Sequence, residues 1–408
     1  MTADGVITSA AVRNYFDNLL PDESNIRERL QNRFSTRSTG TFDLLETLGR
    51  DCVGAVQLLP ANESPEAWNR IEADALKPKD VAAILQAVPT ANAPLLKGAR
   101  QDEDFWIAMA GAQEKTALLK MGRSWYRPRG ATPTTHILKL PLGIVGGMQL
   151  DLSHSVDNEW LCAALIAELG LPVATTEIGR FGSQRVLVVE RFDRRWQSIA
   201  GMNPYSTRFT PPDAAWIARL PQEDFCQATG LSHTMKYESH GGPGIAQICA
   251  LLSRSERPAS DQRTFVLAQF MFWLLAAPDG HAKNFSIHHH RGGSYTLTPL
   301  YDVISAWPVI GPRAEQLPLK KARLAMSIRS SSPHYKLAEI HPRHFKELAD
   351  AVPTANAWAH MRELAQNIEP AIARVEKKLP DDFAEKVWTS ITAGVRQQAS
   401  RFLKTTDA

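Results

Sequence analysis

The chain has 408 residues, 44% of them hydrophobic, enough for two or three domains around a sizeable core. Its 46 basic and 43 acidic residues leave a net charge of +3 spread along the chain, which permits contact with nucleic acid without arguing for it. The four cysteines, Cys52, Cys162, Cys226 and Cys249, are widely spaced with no CxxC pair; this speaks against a zinc ribbon and suits a reducing cytoplasm.

Met1–Ala10 lacks a basic stretch followed by an apolar run, so no signal peptide is expected. Val12–Leu20 reads as a short helix stopped by Pro21, Asn25–Phe34 as a second helix, and Phe42–Leu48 as a third that Gly49 ends. Val53–Leu59 reads as a strand. Scattered Pro, Asn and Ala then surround a single helix near Pro78–Val88. The expectation is an N-terminal subdomain over residues 1–97. From Phe105 the pattern shortens to β-rich runs: Trp106–Ala108, Ala117–Lys120, Thr135–Leu140 and Arg185–Glu190. They flank one helix, Val156–Leu169, with Ser155 or Asp157 as N-cap and Gly170 as stop. A small sheet with one inserted helix predicts a β-rich nucleotide-binding lobe over 98–195, followed by a helical catalytic lobe over 196–408. Phe265–Leu275 is apolar on every face and predicts a buried central helix. It is too short to span a membrane, so a soluble cytoplasmic protein is expected. The fold class read from this order is α+β, bilobal and protein-kinase-like.

Directly after the buried helix stands Pro278-Asp279-Gly280-His281-Ala282-Lys283-Asn284-Phe285-Ser286, and further on Pro299-Leu300-Tyr301-Asp302. Phe285–His288 and Ser294–Thr298 read as two strands joined at Arg291-Gly292-Gly293. A hairpin returns its ends to one point, so Asp279, Asn284 and Asp302 are expected at its open end. Phosphoryl transfer needs that set: one carboxylate to accept the proton of the attacking hydroxyl, and a carboxamide oxygen and second carboxylate to hold Mg²⁺ against nucleotide phosphates. An isolated Asp-Gly is more often a plain turn; Asn284 and Asp302 are what turn the reading towards catalysis. Lys139 ends an alternating strand and is placed to meet the α- and β-phosphates, with Glu159 on the following helix able to orient it. By itself such a lysine can equally face solvent. Ala110-Gly111-Ala112-Gln113-Glu114-Lys115-Thr116 is a small-residue turn whose backbone could approach phosphate, though the GxxxxGK[ST] spacing is missing. Arg185–Glu190 runs into Arg191-Phe192-Asp193, which reads as a hinge whose backbone meets adenine and whose Asp193 could take the ribose. His288-His289-His290 alternates faces along a strand and is poorly arranged for one metal ion. Gly241-Gly242-Pro243-Gly244 is a loop before a helix that reads as a structural turn rather than a substrate contact.

Taken together, Gly111–Thr116, Val189-Glu190-Arg191-Phe192-Asp193-Arg194, Leu220-Pro221-Gln222-Glu223-Asp224 and Asp279–Phe285 resemble the HipA-type Ser/Thr toxin kinases of toxin–antitoxin modules, over roughly Val12–Phe402. The resemblance implies Asp279 as catalytic base, Asn284 and Asp302 on Mg²⁺, and Lys139 on the phosphates of ATP. It also implies Ala110–Lys115 as phosphate loop, Glu190–Phe192 as adenine hinge, and His281, Lys283 and Tyr301 lining the nucleotide site. It implies a helix-turn-helix HipB-like antitoxin and operator DNA as partners, and glutamyl-tRNA synthetase as the protein phosphorylated, with growth arrest and persistence as outcome. Three features depart from those kinases. Their autophosphorylated serine corresponds to Ala108, which has no hydroxyl to modify, and their opening β-rich segment has no counterpart before Ile7-Thr8-Ser9. The basic DNA-contacting patch expected after His344-Phe345 is replaced by Asp350-Ala351-Val352-Pro353. A kinase-fold enzyme acting on a small molecule, or a catalytically idle subunit of a DNA complex, would share parts of the same pattern.

Overall fold

The structure is a computed structural model that describes residues 9–89 and 113–406. The chain forms two compact units. One comprises Met1–Leu140, Glu177–Glu223 and Gln227–His233; the other comprises Pro141–Thr176, Asp224–Cys226 and Thr234–Ala408.

The first unit opens with helices α1 (Ala10–Asp17), α2 (Ser24–Phe34) and α3 (Thr41–Leu48). Ser9 caps α1 by accepting from the Val12 amide at 3.2 Å. Leu19, Leu20, Leu30, Leu44, Leu45, Leu48 and Cys52 close a small core between the three helices. Burial pushes the Cys52 thiol up to about 12, so it is an inert core residue. Gly49 does end α3, but at φ −77° it uses no left-handed freedom. A side chain there would stand 2.7 Å from Leu58 Cβ, so close packing is what requires glycine. That contact also explains why Val53–Leu59 is not the strand its composition suggests. Gly54 turns the chain at φ +76°, and the Leu58 amide bonds back to Gly49 O at 2.8 Å instead of entering a ladder.

A six-stranded sheet follows. Strand β1 (Ala73–Leu76) leads into α4 (Pro78–Ala87), with Pro78 at a position where its missing N–H costs nothing. Then come β2 (Lys115–Met121), β3 (Ser124–Pro128) and β4 (His136–Lys139). The chain next enters the second unit with β5 (Gly143–Val145), β6 (Leu150–Leu152) and α5 (Ser155–Glu168), and returns with β7 (Thr176–Phe181) and β8 (Gln184–Glu190). The sheet order is β1-β3-β2-β4-β8-β7, antiparallel where β1, β3, β2, β4 and β8 meet. Leu118, Trp125, Leu138, Val186 and Val188 bury one face of it against Val81 and Leu85 of α4 and Val88 just beyond it. The segment before residue 97 therefore supplies both a strand and a helix to this sheet. Two further strands, β9 (Arg194–Gln197) and β10 (Trp216–Arg219), pair antiparallel beside it.

In the second unit, α5 is the helix expected at Val156–Leu169, one residue out of register. Its N-cap is His154, while the Ser155 hydroxyl instead accepts from the Leu142 amide at 2.9 Å. Gly170 ends it at φ +80°. After β11 (Gln222–Asp224) and α6 (Phe225–Ala228) come α7 (Ile245–Leu252) and α8 (Pro258–Leu274). Residues Phe265–Leu274 of α8 are buried on every side. Each such side chain contributes roughly 1.5–3 kcal/mol on burial, which makes α8 the post on which the unit is built. Helices α9 (Pro342–Ala351), α10 (Ala357–Gln366), α11 (Ile368–Glu376) and α12 (Glu385–Thr406) complete it, and Phe345 and Phe402 stack around Phe270 and Trp273 of α8. Among the described residues, no helix is long and apolar enough to cross a membrane.

Candidate active site

The loop leaving α8 is bent at once by Ala276, a non-glycine residue at φ +48°. Such backbone costs on the order of 1–3 kcal/mol and tends to gather at functional sites. Gly280 follows because any side chain there would strike the Phe272 ring within 2.0 Å. The glycine thus lets the loop fold back onto α8, leaving Asp279 at the bend with 53% of its side chain exposed. His281, Lys283 and Asn284 are all buried.

Asp279 and Asn284 are brought together as their spacing predicts. The Asn284 carboxamide donates from Nδ2 to the Asp279 carbonyl oxygen at 2.7 Å. A carbonyl can only accept, so this bond fixes which way the amide points, with Nδ2 on the Asp279 carbonyl and Oδ1 on the opposite side of the amide. The His281 amide bonds Asp279 O at 2.9 Å, and the Asn284 amide bonds His281 O at 2.9 Å, which ties the loop into one rigid turn. On the carboxylate, Oδ1 accepts from the Tyr237 hydroxyl at 2.5 Å and lies 3.6 Å from His281 Nε2.

Strands β12 (Ser286–His289) and β13 (Tyr295–Leu297) form the predicted antiparallel hairpin, turning at Arg291–Gly293. Beyond it, the buried Tyr301 hydroxyl contacts Ser286 Oγ at 2.5 Å and donates to Lys283 O at 3.0 Å. Burial pushes this phenol well above the usual tyrosine range, so it stays a neutral donor. It anchors the chain at Asp302, which sits at φ +60°, a left-handed conformation that aspartate tolerates better than most residues. The carboxamide oxygen of Asn284 and the carboxylate of Asp302 are hard oxygen donors of the kind Mg²⁺ takes alongside phosphate and water.

Apart from Glu159 on α5, which is in the second unit, the other predicted residues belong to the first unit. Ala108, Ala110, Gly111 and Ala112 lie outside the described residues. Gln113 donates to Leu140 O at 2.6 Å, and Glu114 is ion-paired with Arg29. Lys115 on β2 and Lys139 on β4 are directly opposite each other in the ladder, with Lys139 buried. Residues paired across antiparallel strands share a face, so the two lysines stand side by side on one surface of the sheet. Glu190 ends β8 opposite His136, and the Arg191 amide bonds Thr135 O at 2.9 Å.

The expectation that Asp193 takes a ribose does not hold. Its carboxylate is buried and fully used: Oδ1 accepts from Arg191 Nε at 3.0 Å, and Oδ2 from Arg191 Nη2 at 2.8 Å, Arg194 Nη1 at 3.0 Å and the Gly54 amide at 2.7 Å. Asp51 completes the cluster, 2.8 Å from Arg194, 3.1 Å from Arg191 and 3.3 Å from Arg219. Burial raises both carboxyls, but the guanidiniums outweigh it and hold them below the usual carboxylate range. Sequence reasoning missed Asp51, because nothing local in Gly49-Arg50-Asp51-Cys52 announces partners some 140 residues away.

Comparison with known proteins places the chain in a family. Residues 107–379 match the HipA-like C-terminal domain, and residues 1–59 match the HipA N-terminal domain. The chain is 34% identical over 319 residues to a protein of Sinorhizobium fredii named putative kinase Y4mE, covering 77% of this chain and 69% of that one. It is 25% identical over 324 residues to the serine/threonine-protein kinase toxin HipA of Shewanella oneidensis, covering 74% of this chain and 65% of that one. The chain thus spans about two thirds of the length of these relatives. Its fold matches the solved Shewanella oneidensis HipA, in complex with HipB and operator DNA, with a TM-score of 0.75 at 24% identity over 98% of this chain and 87% of that one. The chain belongs to the HipA family.

Proposed function

We propose that the protein is an ATP- and Mg²⁺-dependent Ser/Thr protein kinase acting as the toxin of a toxin–antitoxin module. The observation that carries this is the Asp279–Asn284 pair, in which the Asn284 carboxamide is held on the backbone carbonyl of Asp279, whose carboxylate is half exposed. In this reading Asp279 accepts the proton of the acceptor hydroxyl, and Asn284 and Asp302 hold the metal. Lys139, with Lys115 opposite it in the ladder, meets the phosphates. Residues Ala110–Lys115 form the phosphate loop, the Glu190–Phe192 backbone reads adenine, and His281, Lys283 and Tyr301 line the nucleotide site. The magnesium ion supplies charge neutralisation between nucleotide and protein. A HipB-like antitoxin and operator DNA are the proposed partners, supported by the Shewanella assembly. Glutamyl-tRNA synthetase is the proposed target, the protein working in the cytoplasm to halt translation.

Transfer of γ-labelled phosphate from ATP into purified glutamyl-tRNA synthetase tests this directly. Label on a serine of the synthetase is the expected result; no label on any protein acceptor overturns the reading. Asn284→Ala and Asp302→Ala should each weaken Mg-ATP binding about tenfold or more, as loss of a charge-assisted contact does. Calorimetry checks this, and unchanged affinity in both variants places the metal elsewhere.

A further inference from the structure

Asp279 opens onto a groove of about 510 Å³ within the second unit, which Leu142, Leu152, Tyr237, Val309 and Arg323 help to line. Whatever acceptor enters it meets the carboxylate beside Tyr237. The Tyr237 hydroxyl donates to Asp279 Oδ1 at 2.5 Å, and its ring stands edge-on to His281 with centroids 5.0 Å apart and planes at 87°. The segment around Tyr237 is itself fixed. Lys236 O accepts the Ala282 amide at 3.0 Å, Tyr237 O accepts the Gly242 amide at 3.0 Å, and Glu238 accepts from the Ser327 amide at 2.6 Å and its hydroxyl at 3.0 Å. Gly242 has no room for a side chain, since a Cβ would lie 2.2 Å from Met235 O, and one at Gly244 would lie 2.6 Å from the Glu238 carboxylate. The Gly241-Gly242-Pro243-Gly244 loop is thus a brace. Among the described residues, Asp279 Oδ2 carries no hydrogen bond.

We infer that Tyr237 is a positioning residue. By holding Oδ1, it fixes the rotation of the Asp279 carboxylate and presents Oδ2 to the acceptor hydroxyl in the groove. The terminal torsion of an aspartate is broad and two-fold, so without this bond the carboxylate samples orientations in which neither oxygen is aimed. The inference rests on Asp279 being the base. The proton leaves the acceptor oxygen for Oδ2 as that oxygen bonds to the γ-phosphorus and the bond to ADP breaks; Tyr237 keeps its own proton throughout.

Tyr237→Phe removes the hydroxyl and keeps the ring wall. The assay is transfer of labelled γ-phosphate from Mg-ATP to dephosphorylated casein and to water, beside Asp279→Asn as control. The expected result is a kcat reduced about 10- to 100-fold, the loss of one hydrogen bond to a charged group, with KM for ATP and for casein within about twofold and an unchanged melting temperature. Unchanged kcat, or a raised KM at unchanged kcat, overturns the inference, the latter because Tyr237 would then bind acceptor and not aim the base. If Asp279→Asn collapses the rate while Tyr237→Phe does not, only this inference fails. If Asp279→Asn keeps the rate, or the unaltered chain transfers nothing, the kinase reading fails with it.

Discussion

Two pairs of aspartates divide this molecule. Asp51 and Asp193 lie in the first unit, almost wholly buried, with every carboxylate oxygen taken up by guanidinium groups or backbone amides. Asp279 lies in the second unit, half exposed, with one oxygen held and one open, and Asp302 stands on left-handed backbone near it in sequence and along the same hairpin. The first arrangement is saturated and does architecture: it ties the segment after α3 to the sheet through Arg191, Arg194 and Arg219. In the second, Asp279 keeps one oxygen open, and a carboxylate so placed can take a proton. The number of partners already on the oxygens, more than burial or charge alone, tells the two kinds apart.

The contrast can be broken most sharply at Asp279. Asp279→Asn should lower phosphoryl transfer about 10²–10⁴-fold, as loss of a general base does, while the melting temperature and ATP affinity stay as they are. A variant keeping more than a tenth of the rate removes Asp279 from the chemistry. Asp51→Ala should do the reverse, destabilising the fold by about 3–5 kcal/mol through the uncompensated buried guanidiniums it leaves. Urea denaturation measures it, and a loss below about 1 kcal/mol would show that the cluster is not what holds the first unit. The smallest effect is a pH dependence at His136. This histidine is buried beside Trp125 and Tyr205, and burial, with Lys120 nearby, pushes its pKa down from 6.5 to about 3. The unfolded chain therefore binds a proton that the folded chain refuses. The associated stability is full above pH 6.5 and lost as pH falls from there towards 3, at no more than about 1.4 kcal/mol per pH unit. His136→Leu should flatten the melting temperature between pH 6.5 and 5; an unchanged slope assigns the dependence to other groups.

The loop after α8, the candidate site, was legible in the sequence because its parts are local. Asp279 and Asn284 sit on one turn, the hairpin after it is announced by Gly292 and Gly293, and the apolar run of α8 marks where the loop begins. Helices α1 to α5 were legible from local stops, caps and periodicity, and α8 from its apolar run, while the other helices after Trp196 were expected only as a generally helical stretch. The rest depended on partners far along the chain. Val53–Leu59 has strand composition but is claimed by Gly49 and its packing, and Asp193 reads as a sugar ligand until Asp51 and two arginines surround it. Strand β1 escaped notice because Ala-Asp-Ala-Leu carries no β-branched or aromatic residue; its pairing with β3 alone makes it a strand.

The order in which the units take up the chain has a consequence for synthesis. The first unit needs residues on both sides of α5, since β8 is the neighbour of β4 in the sheet, and the stretch from Pro141 to Thr176 is already part of the other unit. A growing chain that has reached Leu140 therefore carries Asp51 with none of its three arginines yet made, and β4 with one edge bare. Neither unit can be completed vectorially from the N-terminus, nor excised as one uninterrupted segment. The first closes only after Arg219 has left the ribosome, and until then the unfinished edge of the sheet is what a chaperone, or a second nascent chain, would find.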